Sequence, residues 1–336
     1  MAQGGMIRAL FALLLVVLLA PAALARCEGR DLIPRLPAEV REEILARAAA
    51  APFPEGNLWR AERAAEVIYL VGTFHIGDAR MGEMMRGVAP LIEAAELVLV
   101  EVTAAEEQAL RAAMVADPGL AYLTEPPSLR DLLSEPEWAL YAAEMEARGV
   151  PSFIAAQFRP WLAFTTLTIP ACMLAPDGAL PPGLDDRVIT HATGSGVPVR
   201  ALEDHEVLTA IFDTLTAEES LDILRATLMQ AELSEDLFAT LATAYFDGRH
   251  RLIWEFGRSW MPGPAAELWP PERLGPLYDR LEEALLMRRN RAWMETILAA
   301  SAEGPLLVAV GAAHLSGPEG LLDLLDRAGF ALGRLD

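Results

Sequence analysis

Two of the five histidines in this 336-residue chain stand in matched settings. His75 lies three residues past Gly72 in VIYLVGTFHIGD, and His314 lies three past Gly311 in PLLVAVGAAHLSGPEG. In both, an apolar run ends in glycine, the pattern of a buried strand leaving its sheet through a residue that permits a tight exit or a close approach. Glu101 closes the run ELVLVE, and Glu203 closes VPVRALE. Ligands of open α/β sheets sit outside the carboxyl ends of the strands. Two imidazoles and two carboxylates meeting there would suit a divalent ion that takes nitrogen and oxygen donors.

Each residue also has a plainer use. A histidine after a strand can cap a turn, and an acid at a strand end can cap a helix or sit in solvent. Asp78, in HIGD, either caps the next helix or accepts a hydrogen bond from His75. His191, His205 and His250 have no matched setting. HEVLT at His205 lacks the second histidine of the HExxH zinc motif, and no GxSxG elbow is present.

The elements that must position these groups can be read from periodicity. Leu36 to Gly56 reads as an amphipathic helix ended by a Pro/Gly turn. Glu66 to Gly72 is a strand, Arg80 to Ala95 a helix and Glu96 to Val102 a second strand, which implies neighbouring parallel strands joined by a crossover. Helical pattern, broken by prolines, runs from Thr103 to about Ala156. Gln157 to Leu174 reads as an apolar core helix. Gly183 to Asp204 reads as helix, turn and the strand Val197 to Leu202. Helices follow to about Ser301, then strand Leu306 to Val310, helix Pro318 to Ala328 and strand Phe330 to Leu335. The fold expected is α/β: a central, mostly parallel sheet flanked by helices, in one domain from residue 26 to 336, with a large helical insertion at about 205–301.

Composition narrows the chemistry. Net charge is −21, and all 27 basic residues are arginine. So acidic a chain repels phosphate backbones, which argues against nucleic acid as a partner. Without lysine there is no Walker-A loop and no Schiff base. Residues 1–25 have one basic residue, Arg8, an apolar core and the small-x-small end Ala23-Leu24-Ala25, the pattern of a cleaved secretory signal. The apolar core is shorter than the roughly 20 residues a membrane span needs. The mature chain is therefore expected to be periplasmic or secreted, with no membrane span. Two cysteines, Cys27 and Cys172, form an even pair that an oxidising compartment favours as a disulfide. Two separate buried thiols are the alternative.

Taken in order, LWRAERAAEVIYLVGTFHIGD, LVLVEV, GLDDRVITHATGSGVPVRALE, RRNRAWMETI and VAVGAAHLSGPEGLLDLLDRAGF resemble the TraB/GumN family. That family is grouped with Tiki-type metalloproteases and with erythromycin-esterase and haem-uptake-like proteins. Its two GxxH motifs match Gly72–His75 and Gly311–His314, its acid after the second strand matches Glu101, and Arg289, Asn290, Arg291 and Trp293 match its segment before the last GxxH. The resemblance implies a metal-dependent hydrolase, expected to be a peptidase acting on a peptide or protein with Mn, Co or Zn. In that reading His75, Glu101 and His314 hold or flank the ion, Glu203 is a further ligand or the general base, and Arg291 stabilises developing negative charge. A haem- or metal-binding protein without turnover, and a metal-free esterase using His and Glu, remain as alternatives.

Overall fold

The computed structural model describes residues 27–175, 177–207, 214–261, 263 and 265–336. The expected leader, residues 1–25, lies outside them. Among the described residues the apolar runs form one six-stranded sheet. Its strands are β1 (Leu58–Arg63), β2 (Glu66–Thr73), β3 (Leu97–Val100), β4 (Val199–Ala201), β5 (Leu306–Gly311) and β6 (Ala331–Arg334). They lie in the order β4-β3-β5-β2-β1-β6. The β4–β3, β3–β5 and β5–β2 pairings are parallel; β2 and β3, expected to be neighbours, run parallel as the strand-helix-strand pattern implies, but β5 lies between them and pairs with both. The β2–β1 and β1–β6 pairings are antiparallel and close one edge.

Strand alternation gives each face its own core. On β5, Leu306, Val308 and Val310 join β2 residues Ile68 and Leu70 on one side, packed with Trp293, Ile297, Leu321 and Leu325 from two late helices. Leu307 and Ala309 join Val71, Val98 and Val100 on the other side, under Val88, Ile92, Leu184 and Val188. Helices Met81–Ala94 and Leu184–Gly194 thus cover one face, and Arg288–Ser301 and Leu321–Arg327 the other. A sheet buried on both faces reads as continuous apolar sequence, and so the central strands stood out.

Helices fill both long connections. Those between β3 and β4 include Ala104–Ala116 and Glu135–Ala147, and those between β4 and β5 run from Ala217–Met229 to Arg288–Ser301. Thr103 starts Ala104–Ala116 with a capping box, its amide donating to Glu106 Oε2 at 2.8 Å, two residues after Glu101. The expected core helix Gln157 to Leu174 is shorter: helix Pro160–Leu167, then a 3₁₀ turn at Ala171–Met173. Pro170 lies between the two and ends helical hydrogen bonding. Cys172, in that turn, is disulfide-bonded to Cys27 with Cα atoms 5.4 Å apart, as the even cysteine count suggested. No helix among the described residues is long and apolar enough to cross a membrane.

Candidate functional site

Register brings the candidate groups level. Thr73 on β2 pairs with Gly311 on β5, and Val100 on β3 pairs with Ala309. His75 therefore emerges two residues past its pairing point, Glu101 one past, and His314 three past, all at the carboxyl edge of adjoining parallel strands. The glycines explain the spacing. A Cβ on Gly72 would lie 2.9 Å from Leu315 and 3.0 Å from the Ala312 Cβ, so glycine lets the turn Ala312–His314 dock on β2. A Cβ on Gly311 would stand 3.1 Å from Glu101 Oε1, 3.6 Å from His75 Nε2 and 3.8 Å from His314 Cδ2. The gap at Gly311 is where the three side chains meet.

Both rings are held from behind. His75 Nδ1 lies 3.3 Å from Asp185 Oδ2, and His314 Nδ1 donates to Asn290 Oδ1 at 2.7 Å. An acceptor on Nδ1 fixes each ring, the support that metal-binding histidines ordinarily have, and leaves His75 Nε2 near the gap and His314 Nε2 toward Arg289. The Asp185 hydrogen bond raises the His75 pKa; the ring is 64% exposed, and solvent screens that effect. His314 is the reverse case. Burial pushes its pKa down to about 3, with Glu101 opposing and Arg289 assisting, so it is neutral at pH 7.

Arg289 completes the cluster. Its five N–H groups are all used: Nε and Nη2 on Glu203, Nη2 also on Glu101 Oε2 at 2.6 Å, and Nη1 on Leu285 O at 2.9 Å and His314 Nε2 at 3.1 Å. A π-helical segment, Glu283–Met287, immediately precedes it, and the Trp293 ring lies 4.9 Å from its guanidinium carbon. Glu101 also accepts from the Gly311 amide at 2.6 Å. Burial opposes a charge on Glu101, but the positive groups around it (His314 when protonated, Arg289, His75) and this amide outweigh it and bring its pKa to about 2.

The sequence-derived set is thus assembled in part. His75, Glu101 and His314 come together. Glu203 adjoins them through Arg289, and its carboxylate is occupied by that guanidinium and by Trp293 Nε1 at 3.2 Å, which leaves it placed to hold Arg289. Arg291 does not join them: it points outward and pairs with Glu283 and Glu319. Helix Arg288–Ser301 turns about 100° per residue, so two positions on from Arg289 faces away from the site. Asp78 does not reach His75 either; it accepts from the Arg80 amide at 2.8 Å and from the Arg80 side chain. Arg289 and Asn290 enter the sequence reading only as part of the segment before the last GxxH, with no role of their own, and Asp185 does not enter it, although GLDDRV contains it. Their signal was adjacency within those segments.

The donor types fit an N/O-binding divalent ion, and the side-chain-free space at Gly311 gives it room. The arrangement is nonetheless open. Among the described residues, the one group of three or more His, Cys, Asp and Glu ligand atoms within 4.8 Å of one another is Cys27, Cys172 and Glu235, whose sulfurs are already bonded to each other. A cavity of about 420 Å³ fronts the cluster, lined by Thr73, His75, Glu101, Leu180 and Asp185 among others. Thr73 Oγ1 and Asp185 Oδ1 are buried without a hydrogen-bond partner. Both residues line the cavity, and such atoms are ordinarily satisfied by water or ligand.

Parallel strands delivering two glycine-spaced histidines and a glutamate to one sheet edge define an α/β protein with a histidine–carboxylate centre. The profile of the TraB/PrgY/gumN family matches residues 57–334, and the chain belongs to that family. No curated protein matches it.

Proposed function

We propose that this protein is an exported metal-dependent hydrolase that cuts an amide bond in a peptide or protein. The observation that carries the reading is the meeting of His75 Nε2, His314 and Glu101 at the Gly311 gap, with each ring backed by an acceptor. An Mn, Co or Zn ion held by these three residues would polarise the scissile carbonyl and acidify a water. Asp185 and Asn290 fix the rings. Arg289, whose N–H groups are already engaged, would favour developing negative charge through its field alone, and Glu203 holds that guanidinium in place. The disulfide and the leader-like residues 1–25 support export.

One observation favours a second reading. Arg289 already donates to both His314 Nε2 and Glu101 Oε2, two of the atoms an ion would need. A metal-free hydrolase would use the cluster as it stands, with His75 as acid or base. Metal content of the mature protein, followed by peptide-library cleavage before and after chelation, separates the two. Cleavage lost on chelation and restored by one added ion is expected; cleavage unchanged by exhaustive chelation overturns the metal-dependent reading.

A further inference from the structure

A second cavity, of about 430 Å³, lies among the helices and shares no lining residue with the first. Leu167, Phe238 and Leu274 line it together with Trp254, Trp260 and Trp269. Five helices supply most of its walls: Pro160–Leu167, Ala217–Met229, Ser234–Phe246, His250–Ser259 and Pro271–Glu282. Protein interiors are packed like organic crystals, with few voids larger than water. An apolar cavity of roughly 150 Å³ already takes up benzene, and small-molecule pockets fall between about 300 and 1,000 Å³. This one is ligand-sized.

Its chemistry limits the ligand. The charged groups in the lining answer each other: Arg148 donates to Glu144 Oε2 at 2.7 Å and to the carbonyls of Glu144, Leu167 and Ile169. Thr168, Thr227 and Gln230 donate to backbone carbonyls, and the lining holds no uncompensated charge for a nucleotide or a phosphate. Two of its buried polar atoms lack a partner. The indole N–H groups of Trp254 and Trp269 are buried with no acceptor, and Trp269 is only 3% exposed. A buried donor without an acceptor is costly, and an indole nitrogen can only donate. A ligand that satisfies this lining has a long apolar body and an oxygen that accepts.

We propose that the helical cavity is a binding site for a single acyl chain, its carboxyl or ester oxygen accepting from Trp254 or Trp269. The disulfide lies beside it. Cys172 follows the helix that carries Leu167, while the residues after Cys27 are fixed to the helix that carries Phe238, Glu28 N donating to Glu235 and Leu32 N to Thr240. Two walls of the cavity are therefore linked through the disulfide and these hydrogen bonds.

The test titrates the oxidised mature protein with dodecanoic acid, monolauroyl glycerol, dodecane and haemin, reading heat and tryptophan fluorescence. Saturable binding of the acid or the ester is expected, and which of them binds tells free carboxyl from ester. Ala226→Phe, which fills space in the lining, should weaken that binding at least ~10-fold. The double variant Trp254→Phe, Trp269→Phe keeps an aromatic ring at each position and removes the donors; it should weaken acyl binding ~10-fold, the worth of about one hydrogen bond, and weaken dodecane less. Lack of saturation by either acyl compound overturns the proposal. So does acyl binding unchanged in the double variant, or saturation by haemin alone.

Discussion

Arg289 donates Nη1–H to His314 Nε2 at 3.1 Å. Because a guanidinium has no lone pair to offer, this contact sets the tautomer of the ring. His314 carries its proton on Nδ1, toward Asn290, and its unprotonated Nε2 accepts from Arg289. The same arginine separates Glu101 from Glu203, two carboxylates that would otherwise repel each other in a poorly solvated place.

Removing that arginine should therefore be expensive. Arg289→Gln leaves two buried carboxylates facing each other, and losing one partner of a buried ion pair costs about 3–5 kcal/mol. Arg289→Lys should recover little, since one ammonium cannot reproduce a five-donor fork. Urea midpoints for the two variants check this. A variant as stable as the parent would mean that the network does not hold the site together.

The two histidines should differ in stability while agreeing in function. His75→Ala, at an exposed ring, should change stability by no more than about 0.5 kcal/mol. His314→Ala should cost about 2–4 kcal/mol, because that ring is buried with its centroid 4.5 Å from Trp293. Each should abolish metal-dependent cleavage. Paired calorimetry and activity assays test the split, and full turnover in either variant would remove its histidine from the mechanism.

Gly311→Ala and Gly72→Ala make a sharper pair. A methyl at Gly311 enters the gap between Glu101, His75 and His314, so folding should survive while metal uptake and cleavage fall at least ~10-fold, the equivalent of about 1.4 kcal/mol. A methyl at Gly72 collides with Leu315 and Ala312, and should cost about 1–3 kcal/mol by overpacking. Equal activity losses with equal destabilisation would show that the Gly311 gap has no special place in the site.

His250 predicts an acid-side loss of stability. It is buried, with Nε2 3.0 Å from Gly56 O and Nδ1 3.1 Å from Ser316 Oγ, and burial pushes its pKa from 6.5 to about 4. The unfolded chain binds the proton more readily, so the contribution of His250 is complete above pH 6.5 and disappears as pH falls toward 4, by up to about 3 kcal/mol. His250→Gln should flatten the slope of stability between pH 6.5 and 4.5 relative to the parent. Parallel slopes would assign the acid sensitivity to other groups.

Reduction of Cys27–Cys172 should lower stability by up to about 5 kcal/mol, since the bond closes a 145-residue separation. Denaturation with and without reductant measures this.

Sequence resolved most clearly what burial makes periodic. The runs at β2, β3 and β5 are apolar on both faces, and the glycine exits of β2 and β5, with the acid that closes β3, put His75, His314 and Glu101 on one edge. The strand β1 was overlooked because LWRAER looks polar, yet Trp59 and Ala61 face the core while Arg60 and Glu62 do not reach it, an alternation of period two. Sequence does not tell Arg289 from Arg291, for a different reason. Both carry the same charge two residues apart, and only the phase of the helix, shifted by the π segment before it, decides which faces the sheet. Asp185 belongs to a helix some 110 residues downstream of His75, and nothing local joins them (185 − 75).

The strand order carries a consequence for how such a chain is made. β5 lies between β2 and β3, yet its residues, Leu306–Gly311, are made 206 residues after the end of β3 (306 − 100). Until they arrive, β2 and β3 have no common neighbour, and His75 and Glu101 no bridge to each other. A nascent chain still lacking those residues, or one clipped before Gly304, therefore carries every helix of the long connections but no assembled centre. The edge on which the three side chains meet forms only once β5 has been made.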